Sequence, residues 1–260
     1  LMTRRRVIAA SLALPAAPAL AQSARPVPAE VDVVVIGAGA AGIAAARKLR
    51  AAGRSVIVVE AKDRSGGRCI ADTATFGLPM DLGAHWIHAP SDAGEAGREV
   101  SLAAAMPTNL RDWQATIAFL KGAWDSGKDT DEISCVDFYN AIETRDLFCR
   151  QSYGAILAKL AEGLPIRLST PVTRVDWSGR GVAVETAAGT IRARAAIVTA
   201  STSVLASGAI RFTPALPKRQ ADALAALPCG AYEHLIVHLP GNPMEAKPDE
   251  PFVVKADGAA

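Results

Sequence analysis

The sequence has 260 residues, half of them apolar, which is enough for a sizeable buried core in one large domain or two ordinary ones. Glycine and proline are dispersed and no long repeat recurs, which argues against solenoid, collagen-like and disordered classes. The formal net charge is +2, and acidic and basic residues are interspersed beyond residue 30. We therefore expect no nucleic-acid partner, because no basic stripe is present to follow phosphates.

The first 21 residues have the pattern of an export signal. Three arginines, Arg4 to Arg6, precede an apolar run that ends in Ala19-Leu20-Ala21, which suits a signal peptidase. The run contains two prolines and is short for a bilayer span, so a retained membrane anchor is the weaker interpretation. Residues 3–8 also resemble a twin-arginine signal, which exports folded proteins. The sequence thus predicts a signal over 1–21, a linker over 22–30, and a periplasmic or secreted protein without a stable membrane anchor.

The four cysteines, Cys69, Cys135, Cys149 and Cys229, show no C-x-x-C pattern and no histidine at zinc-ligand spacing. We therefore predict no metal site. Small buried thiols are the ordinary interpretation. An oxidising compartment would permit a disulfide, but spacing alone does not pair these residues.

Residues 31–60 carry the strongest pattern in the chain. The β-branched run 31–36 is typical of a central parallel strand, residues 40–52 have helical character and end before Gly53, and 55–60 form a second strand. The turn after the first strand is glycine-rich. This order of strand, glycine turn, helix and strand predicts a dinucleotide-binding βαβ unit. The turn consists of Gly37, Ala38, Gly39, Ala40, Ala41 and Gly42.

Each glycine of this turn has a separate expected role. Gly37 permits the tight turn, Gly39 lets the backbone approach a pyrophosphate, and Gly42 lets the helix pack closely on the strand. Phosphates are expected at the helix N-terminus, where N–H groups and the helix dipole favour negative charge. Glu60, followed by Ala61, ends the second strand and suits the ribose hydroxyls, which disfavours NADP. The unit itself fits both FAD and NAD.

Two segments downstream favour FAD. Residues 64–68 read Arg-Ser-Gly-Gly-Arg, and residues 81–88 read Asp-Leu-Gly-Ala-His-Trp-Ile-His. Here the chain resembles the N-terminal half of the flavin-containing amine oxidases, which include monoamine, polyamine and L-amino-acid oxidases. In that family the first segment lies near the pyrophosphate and ribityl chain, and the second beside the flavin ring. The resemblance implies contacts to FAD from Gly67, Arg68, Gly83, Ala84, His85 and Trp86.

A second stretch of resemblance covers residues 150–240. Residues 170–177 look like the family strand whose backbone meets the adenine, and Val172 holds the matching position. The family's catalytic lysine follows a Leu-Pro-x-Gly segment, whereas here residues 227–230 lead to His234. A neutral imidazole can hold a water but carries no fixed positive charge. His234 is thus the candidate catalytic residue, with simple packing in a strand as the alternative.

The rest of the chain suggests short elements. The composition and periodicity of residues 91–150 predict an inserted helical region. Beyond it we predict a helix at 153–161, antiparallel strands at 166–168, 172–177, 182–186 and 190–194, a buried strand at 196–200, a helix at 217–227 and a strand at 232–239.

The expected fold is α/β: an FAD-binding Rossmann-like domain with an inserted helical region and the start of a truncated α+β substrate domain. The FAD domain is expected over 31–90 and 151–212, and the partial substrate domain over 91–150 and 213–260. The family's C-terminal half, with its aromatic substrate walls, is not found in the sequence.

The resemblance implies FAD-dependent oxidation of an amine C–N bond, with oxygen as acceptor and hydrogen peroxide as product. The partners would then be a small-molecule amine or amino acid, and oxygen. An L-amino-acid oxidase, a desaturase-like flavoprotein and a non-catalytic FAD-binding remnant are the alternatives.

Overall fold

A seven-stranded sheet organises the molecule. The structure, a computed structural model, describes residues 30–84, 86–88, 100–140, 146–149, 151–231 and 236–247. Two further pairs of short strands lie outside the main sheet. The strands are β1 Glu30–Ile36, β2 Val56–Val59, β3 Ala71–Asp72, β4 Met80–Asp81, β5 Trp86–His88, β6 Asp146–Phe148, β7 Ile166–Arg167, β8 Val172–Asp176, β9 Val182–Thr186, β10 Gly189–Val198 and β11 Arg211–Thr213.

The helices are short apart from those that flank the sheet. A 3-10 turn at Arg111–Trp113 precedes the helix Gln114–Phe119, and a π-helical turn at Leu120–Trp124 follows it. Among the described helices, none combines the length and the apolar character that a membrane crossing requires. The helices are α1 Ala40–Ala51, α2 Leu102–Ala105, α3 Gln114–Phe119, α4 Cys135–Asn140, α5 Tyr153–Ala161, α6 Thr202–Ala206 and α7 Lys218–Ala226.

The strand order in the main sheet is β11-β8-β9-β10-β1-β2-β7. Strands β10, β1, β2 and β7 run parallel, whereas β8, β9 and β10 pair antiparallel. The predicted βαβ unit is confirmed as β1, α1 and β2. The sheet thus joins an early segment of the chain to one more than a hundred residues later, and the expected α/β class is confirmed.

Both faces of β1 are buried, as its continuous β-branched run predicts. Val34 and Ile36 pack with residues of β8, β9 and β10, while Val35 packs towards Ala46 of α1 on the other face. Helix α1 buries Ile43 and Ala46 and exposes its arginines. Arg47 donates a hydrogen bond to the carbonyl oxygen of Leu160, at the end of α5. Helix α1 is therefore packed against the sheet on one side and hydrogen-bonded to α5.

Three predictions of local structure were wrong. The expected strands at 190–194 and 196–200 form one strand, β10, because its parallel pairing with β1 continues from Arg192 to Val198. The strand at 166–168 was expected to be antiparallel, but β7 joins β2 in parallel. Of the strand expected at 232–239, residues 232–235 lie outside the described residues and 236–239 have no strand structure. In the first two cases the partner strand, which is distant in sequence, decides the pairing.

Candidate cofactor site

The glycine turn follows β1 directly and has the geometry expected of its three glycines. Gly37 has a φ of +106°, in the region that favours glycine. A Cβ at Gly42 would overlap the carbonyl oxygen of Gly37, so this glycine permits the close packing of α1 on the turn. Gly39 differs, because a Cβ there would meet only the Cα of Gly67, at an ordinary 3.8 Å. Contacts within the protein therefore do not explain why this position is a glycine, and the room beside it is available to a ligand.

The N-terminus of α1 is open to an anion. Gly39 is its N-cap and provides no side chain to accept a hydrogen bond from the first turn. Ala40 and Ala41 follow, and the first turn contains no acidic residue. Among the described residues, the N–H groups of this first turn have no side-chain cap, and together with the helix dipole they offer a site for phosphate, as the sequence predicts.

Glu60 lies against the same turn. It is only 8% exposed, and its carboxylate accepts hydrogen bonds from the backbone N–H groups of Ala38 at 2.7 Å and Lys62 at 2.9 Å. Each carboxylate oxygen has a second lone pair available for a ribose hydroxyl. Ala61, next in the chain, is exposed. Glu60 is therefore a structural acceptor for the glycine turn as well as the candidate ribose ligand.

The Gly-Gly-Arg segment crosses over the turn. Gly66 donates its N–H to the carbonyl oxygen of Ala38 at 2.8 Å, and a Cβ at Gly67 would lie 3.1 Å from the Cα of Gly39. Arg64 holds this loop through a 2.8 Å hydrogen bond to the carbonyl oxygen of Gly67. Arg68 is exposed, so its side chain is accessible to a phosphate group.

Gly83 and Ala84 are tied to the backbone of the Gly-Gly-Arg segment. The N–H of Ala84 donates to the carbonyl oxygen of Arg68 at 3.1 Å, and a Cβ at Gly83 would overlap that same oxygen. The two predicted flavin-binding segments are therefore adjacent. Trp86 begins β5, which pairs with β6. His85 and His234 lie outside the described residues, so their predicted roles stay predictions.

The residues just before Val172 are hydrogen-bonded to the segment at the end of β2. Thr170 donates its N–H to the carbonyl oxygen of Glu60 at 2.7 Å, and Ser169 donates to that of Lys62 at 2.8 Å. Val172 itself is 8% exposed and packs its side chain in the core of the sheet. The segment that leads to Val172, the predicted adenine contact, therefore lies next to Glu60, the predicted ribose acceptor.

Two residues that sequence reasoning missed position this site. Asp81 accepts hydrogen bonds from the N–H groups of Tyr153 and Gly154, at 2.8 and 3.2 Å, and so fixes the start of α5 against the second flavin-binding segment. Thr199, just after β10, packs against the glycine turn. Neither has a local sequence signal, because the partner is more than 70 residues away in both cases.

The thiols have different environments. All four cysteines are free. Burial raises the pKa of Cys69, while hydrogen bonds from Ser203 and Thr202 lower the pKa of the more exposed Cys229 to about 7. Within the described ranges, no group of three or more His, Cys, Asp or Glu side chains is placed to hold a metal ion.

Taken together, the parallel strands, the glycine turn and the buried carboxylate define a dinucleotide-binding fold. The sequence model described as an NAD(P)-binding Rossmann-like domain matches residues 35–99. The model described as flavin containing amine oxidoreductase matches residues 96–259, which is more than half of the chain. The chain belongs to this flavin-containing family of enzymes, which confirms the resemblance and FAD as the expected cofactor.

Three known proteins show the extent of the similarity. Polyamine oxidase 2 of Arabidopsis thaliana is 26% identical over 288 residues, covering 80% of this chain and 58% of that protein. Putrescine oxidase of Kocuria rosea is 55% identical over 58 residues, 22% of this chain and 12% of that protein. A solved putrescine oxidase variant superposes with a TM-score of 0.59 at 21% identity, covering 75% of this chain and 63% of the other. The chain thus spans less than two thirds of the length of the first and third of these proteins.

Proposed function

We propose that this chain binds FAD across the turn between β1 and α1 and takes part in the oxidation of an amine. The carrying observation is that Glu60 accepts the N–H of Ala38 while Gly67 lies over Gly39, at the carboxyl ends of parallel strands in a chain of the flavin-containing family. The α1 N-terminus would receive the pyrophosphate, Glu60 the ribose hydroxyls, and Arg68 a phosphate oxygen. Gly83 and Ala84 would approach the flavin end of the cofactor.

The proposed reaction oxidises a C–N bond. When bound, FAD supplies a hydride acceptor for the amine-bearing carbon, and oxygen regenerates the oxidised flavin with release of hydrogen peroxide. Diamines and polyamines are the proposed substrate class, because polyamine oxidase and putrescine oxidase are among the similar proteins. The residues of this chain would hold the cofactor's adenine and ribityl portions in place for that step.

Cofactor binding is tested by adding FAD to the purified chain and removing the unbound flavin. The expected result is a yellow protein with flavin absorption bands and a higher Tm than the sample without FAD. Glu60→Ala should bind FAD more weakly. Glu185→Ala is the matched control and should bind normally, because it removes a partly exposed carboxylate on β9 that pairs with Arg174. A colourless wild-type protein whose Tm does not respond to FAD would contradict the proposal.

Activity is tested separately on the yellow protein. Anaerobic addition of putrescine or spermidine should bleach the flavin bands, and air should restore them with formation of hydrogen peroxide. Bleaching by L-amino acids but not by diamines would favour the L-amino-acid oxidase alternative. Stable flavin bands with every amine and amino acid would instead establish a non-catalytic FAD-binding protein.

His234 is proposed to act next to the flavin, on the sequence resemblance alone. Its replacement by alanine should slow flavin reduction by the amine or reoxidation by oxygen, both measured by stopped-flow absorbance. Unchanged rates for both half-reactions would assign His234 to strand packing.

Export is also proposed, on the strength of residues 1–21, which lie outside the described residues. Replacement of Arg4 and Arg5 together by lysine should retain the protein in the cytoplasm of a bacterial host, because twin-arginine export depends on the arginine pair. Fractionation and immunoblotting provide the measurement. Equal periplasmic amounts of both proteins would contradict this route.

A further inference from the structure

We infer that Thr199 is a positioning residue for the cofactor turn: its hydroxyl and the Glu60 carboxylate hold the Gly37–Ala38 peptide from opposite sides. This inference rests on the proposed FAD site, although its geometry belongs to the protein alone. Thr199 follows β10, the neighbour of β1 on the side away from β2. The turn between β1 and α1 therefore lies between the ends of two other strands.

The Thr199 hydroxyl fills the notch that two of the glycines create. Its Oγ1 lies 2.9 Å from the carbonyl oxygen of Ile36 and 3.3 Å from that of Gly37. A Cβ at Gly37 would lie 2.6 Å from this oxygen, and one at Gly42 would lie 3.1 Å from it. The threonine therefore lies against the two glycines, Gly37 and Gly42, at which the turn has no room for a Cβ.

Each of the first two peptide groups of the turn is bound at both ends. In the Ile36–Gly37 peptide, the carbonyl accepts from the N–H of Thr199 at 2.9 Å, and the N–H donates to the carbonyl of Val59 at 2.8 Å. In the Gly37–Ala38 peptide, the N–H donates to Glu60 at 2.7 Å. Its carbonyl accepts the longer, 3.3 Å branch of a bifurcated hydrogen bond from the Thr199 hydroxyl, whose shorter branch goes to the carbonyl of Ile36. Because the N–H and C=O of a trans peptide point in opposite directions, these contacts fix the orientation of both planes.

The Gly37–Ala38 peptide most needs this support. Glycine moves readily between backbone conformations, so the plane that follows Gly37 can rotate if one of its two partners is lost. Rotation would withdraw the Ala38 N–H from Glu60 and leave the carboxylate held by the N–H of Lys62 alone. The position of the candidate ribose acceptor would then depend on a hydroxyl group on the far side of the turn.

The experiment compares Thr199→Val, which keeps the shape but removes the hydroxyl, with Thr199→Ser, which keeps the hydroxyl. Thr186→Val is the matched control, because the Thr186 hydroxyl also bonds a backbone carbonyl, that of Gly189, but in the β9–β10 hairpin. Hydrogen exchange of the Ala38 amide is measured without cofactor, and the Kd for FAD is measured by titration. Thr199→Ala replaces Thr199→Val if the valine variant does not fold.

In Thr199→Val we expect Ala38 exchange to be about tenfold faster and FAD binding about tenfold weaker, a difference of about 1.4 kcal/mol. Thr199→Ser and Thr186→Val should stay within about twofold of wild type, since a typical hydrogen bond is kept in the first and is remote in the second. Unchanged Ala38 exchange in Thr199→Val would overturn the inference.

A double-mutant cycle separates positioning from general stability. If Thr199 acts through the peptide that Glu60 also holds, then Thr199→Val with Glu60→Gln should weaken FAD binding by less than the product of the two single effects. Independent, multiplicative effects would overturn the shared-peptide inference. If wild type does not bind FAD, the proposed function fails, while exchange at Ala38 still decides whether Thr199 orders the turn.

Discussion

The βαβ unit at residues 30–60 and the helical region at 100–140 are stabilised in different ways. All four residues of β2 are buried, and Val34 and Val35 of β1 have no exposed surface. In the helical region, by contrast, Trp113, Phe119 and Trp124 are each about half exposed. The first region is fixed by a core that covers both faces of its strands, whereas much of the apolar surface of the second stays in contact with solvent.

Local interactions and an antiparallel bridge between Ser101 and Ser134 order the helical region. Ser101 and Ser134 accept hydrogen bonds from backbone N–H groups three residues later, and Lys121 and Lys128 form ion pairs with acidic residues four positions later. Exposed pairs of this kind each contribute only about 0.3 to 0.5 kcal/mol. The cofactor turn is thus supported by a buried core. The helical region is held by caps, ion pairs and backbone hydrogen bonds, and it leaves more apolar surface exposed.

The largest expected effect concerns the glycines of the βαβ unit. Gly42→Ala should cost about 3 kcal/mol or more of unfolding free energy, because its Cβ would overlap the carbonyl oxygen of Gly37. Gly39→Ala should change stability by less than about 1 kcal/mol, since its extended backbone accepts alanine and its Cβ has room. Its Kd for FAD should nevertheless rise at least about tenfold, by obstruction of the phosphate approach. Urea unfolding and FAD titration measure the two effects, and equal destabilisation by both variants would contradict this assignment.

A second pair compares the two regions directly. Ile43→Ala in α1 should cost about 2 to 5 kcal/mol, because this side chain is 1% exposed and its removal leaves a cavity. Phe119→Ala in the helical region removes a ring that is 49% exposed and should cost less than about 1 kcal/mol. Chemical denaturation of both variants gives the comparison. A cost at Phe119 as large as that at Ile43 would show that the helical region has a core of its own.

Thiol labelling provides a third comparison, between buried and partly exposed positions. At pH 7 about half of the Cys229 side chains should be thiolate, because the pKa of this thiol is about 7. Burial keeps the pKa of Cys69 above its ordinary value of 9.0, so no more than about 1% of Cys69 should be thiolate. Iodoacetamide should therefore modify Cys229 at least about fifty times faster. Peptide mass spectrometry over a pH series measures both rates. Similar rates at the two sites would contradict the described environments.

The smallest effect concerns pH and the start of β1. Hydrogen bonds from the backbone N–H and hydroxyl of Ser55 lower the pKa of Asp32 below its ordinary 3.8. The resulting stabilisation is present above pH 3.8 and is lost as pH falls through the lower pKa of the folded state. Acid titration of stability should show this loss in wild type and not in Asp32→Asn. Identical acid profiles would indicate that Asp32 adds no pH-dependent stability.

The βαβ unit could be predicted from the sequence, because the residues that specify it are close together in the chain. A β-branched run, a glycine turn at fixed spacing and a capped helix each have short-range physical causes, so β1, α1 and β2 were predicted to within a few residues. The hydrogen bond from the Ala38 N–H to Glu60 joins two parts of the same unit. The expectation that the Gly-Gly-Arg segment lies near it came from family resemblance, and the structure places Gly67 over Gly39.

Local sequence does not indicate which distant segments complete the sheet and support the site. Nothing near residue 166 indicates that β7 runs parallel to β2, and nothing near residue 199 indicates that a hydroxyl fills the notch between Gly37 and Gly42. Asp81, likewise, finds its partners at the start of α5 only after folding. The physical reason is that pairing and packing depend on surfaces that are brought together across the chain, whereas turns, caps and periodicity depend on residues that are already neighbours.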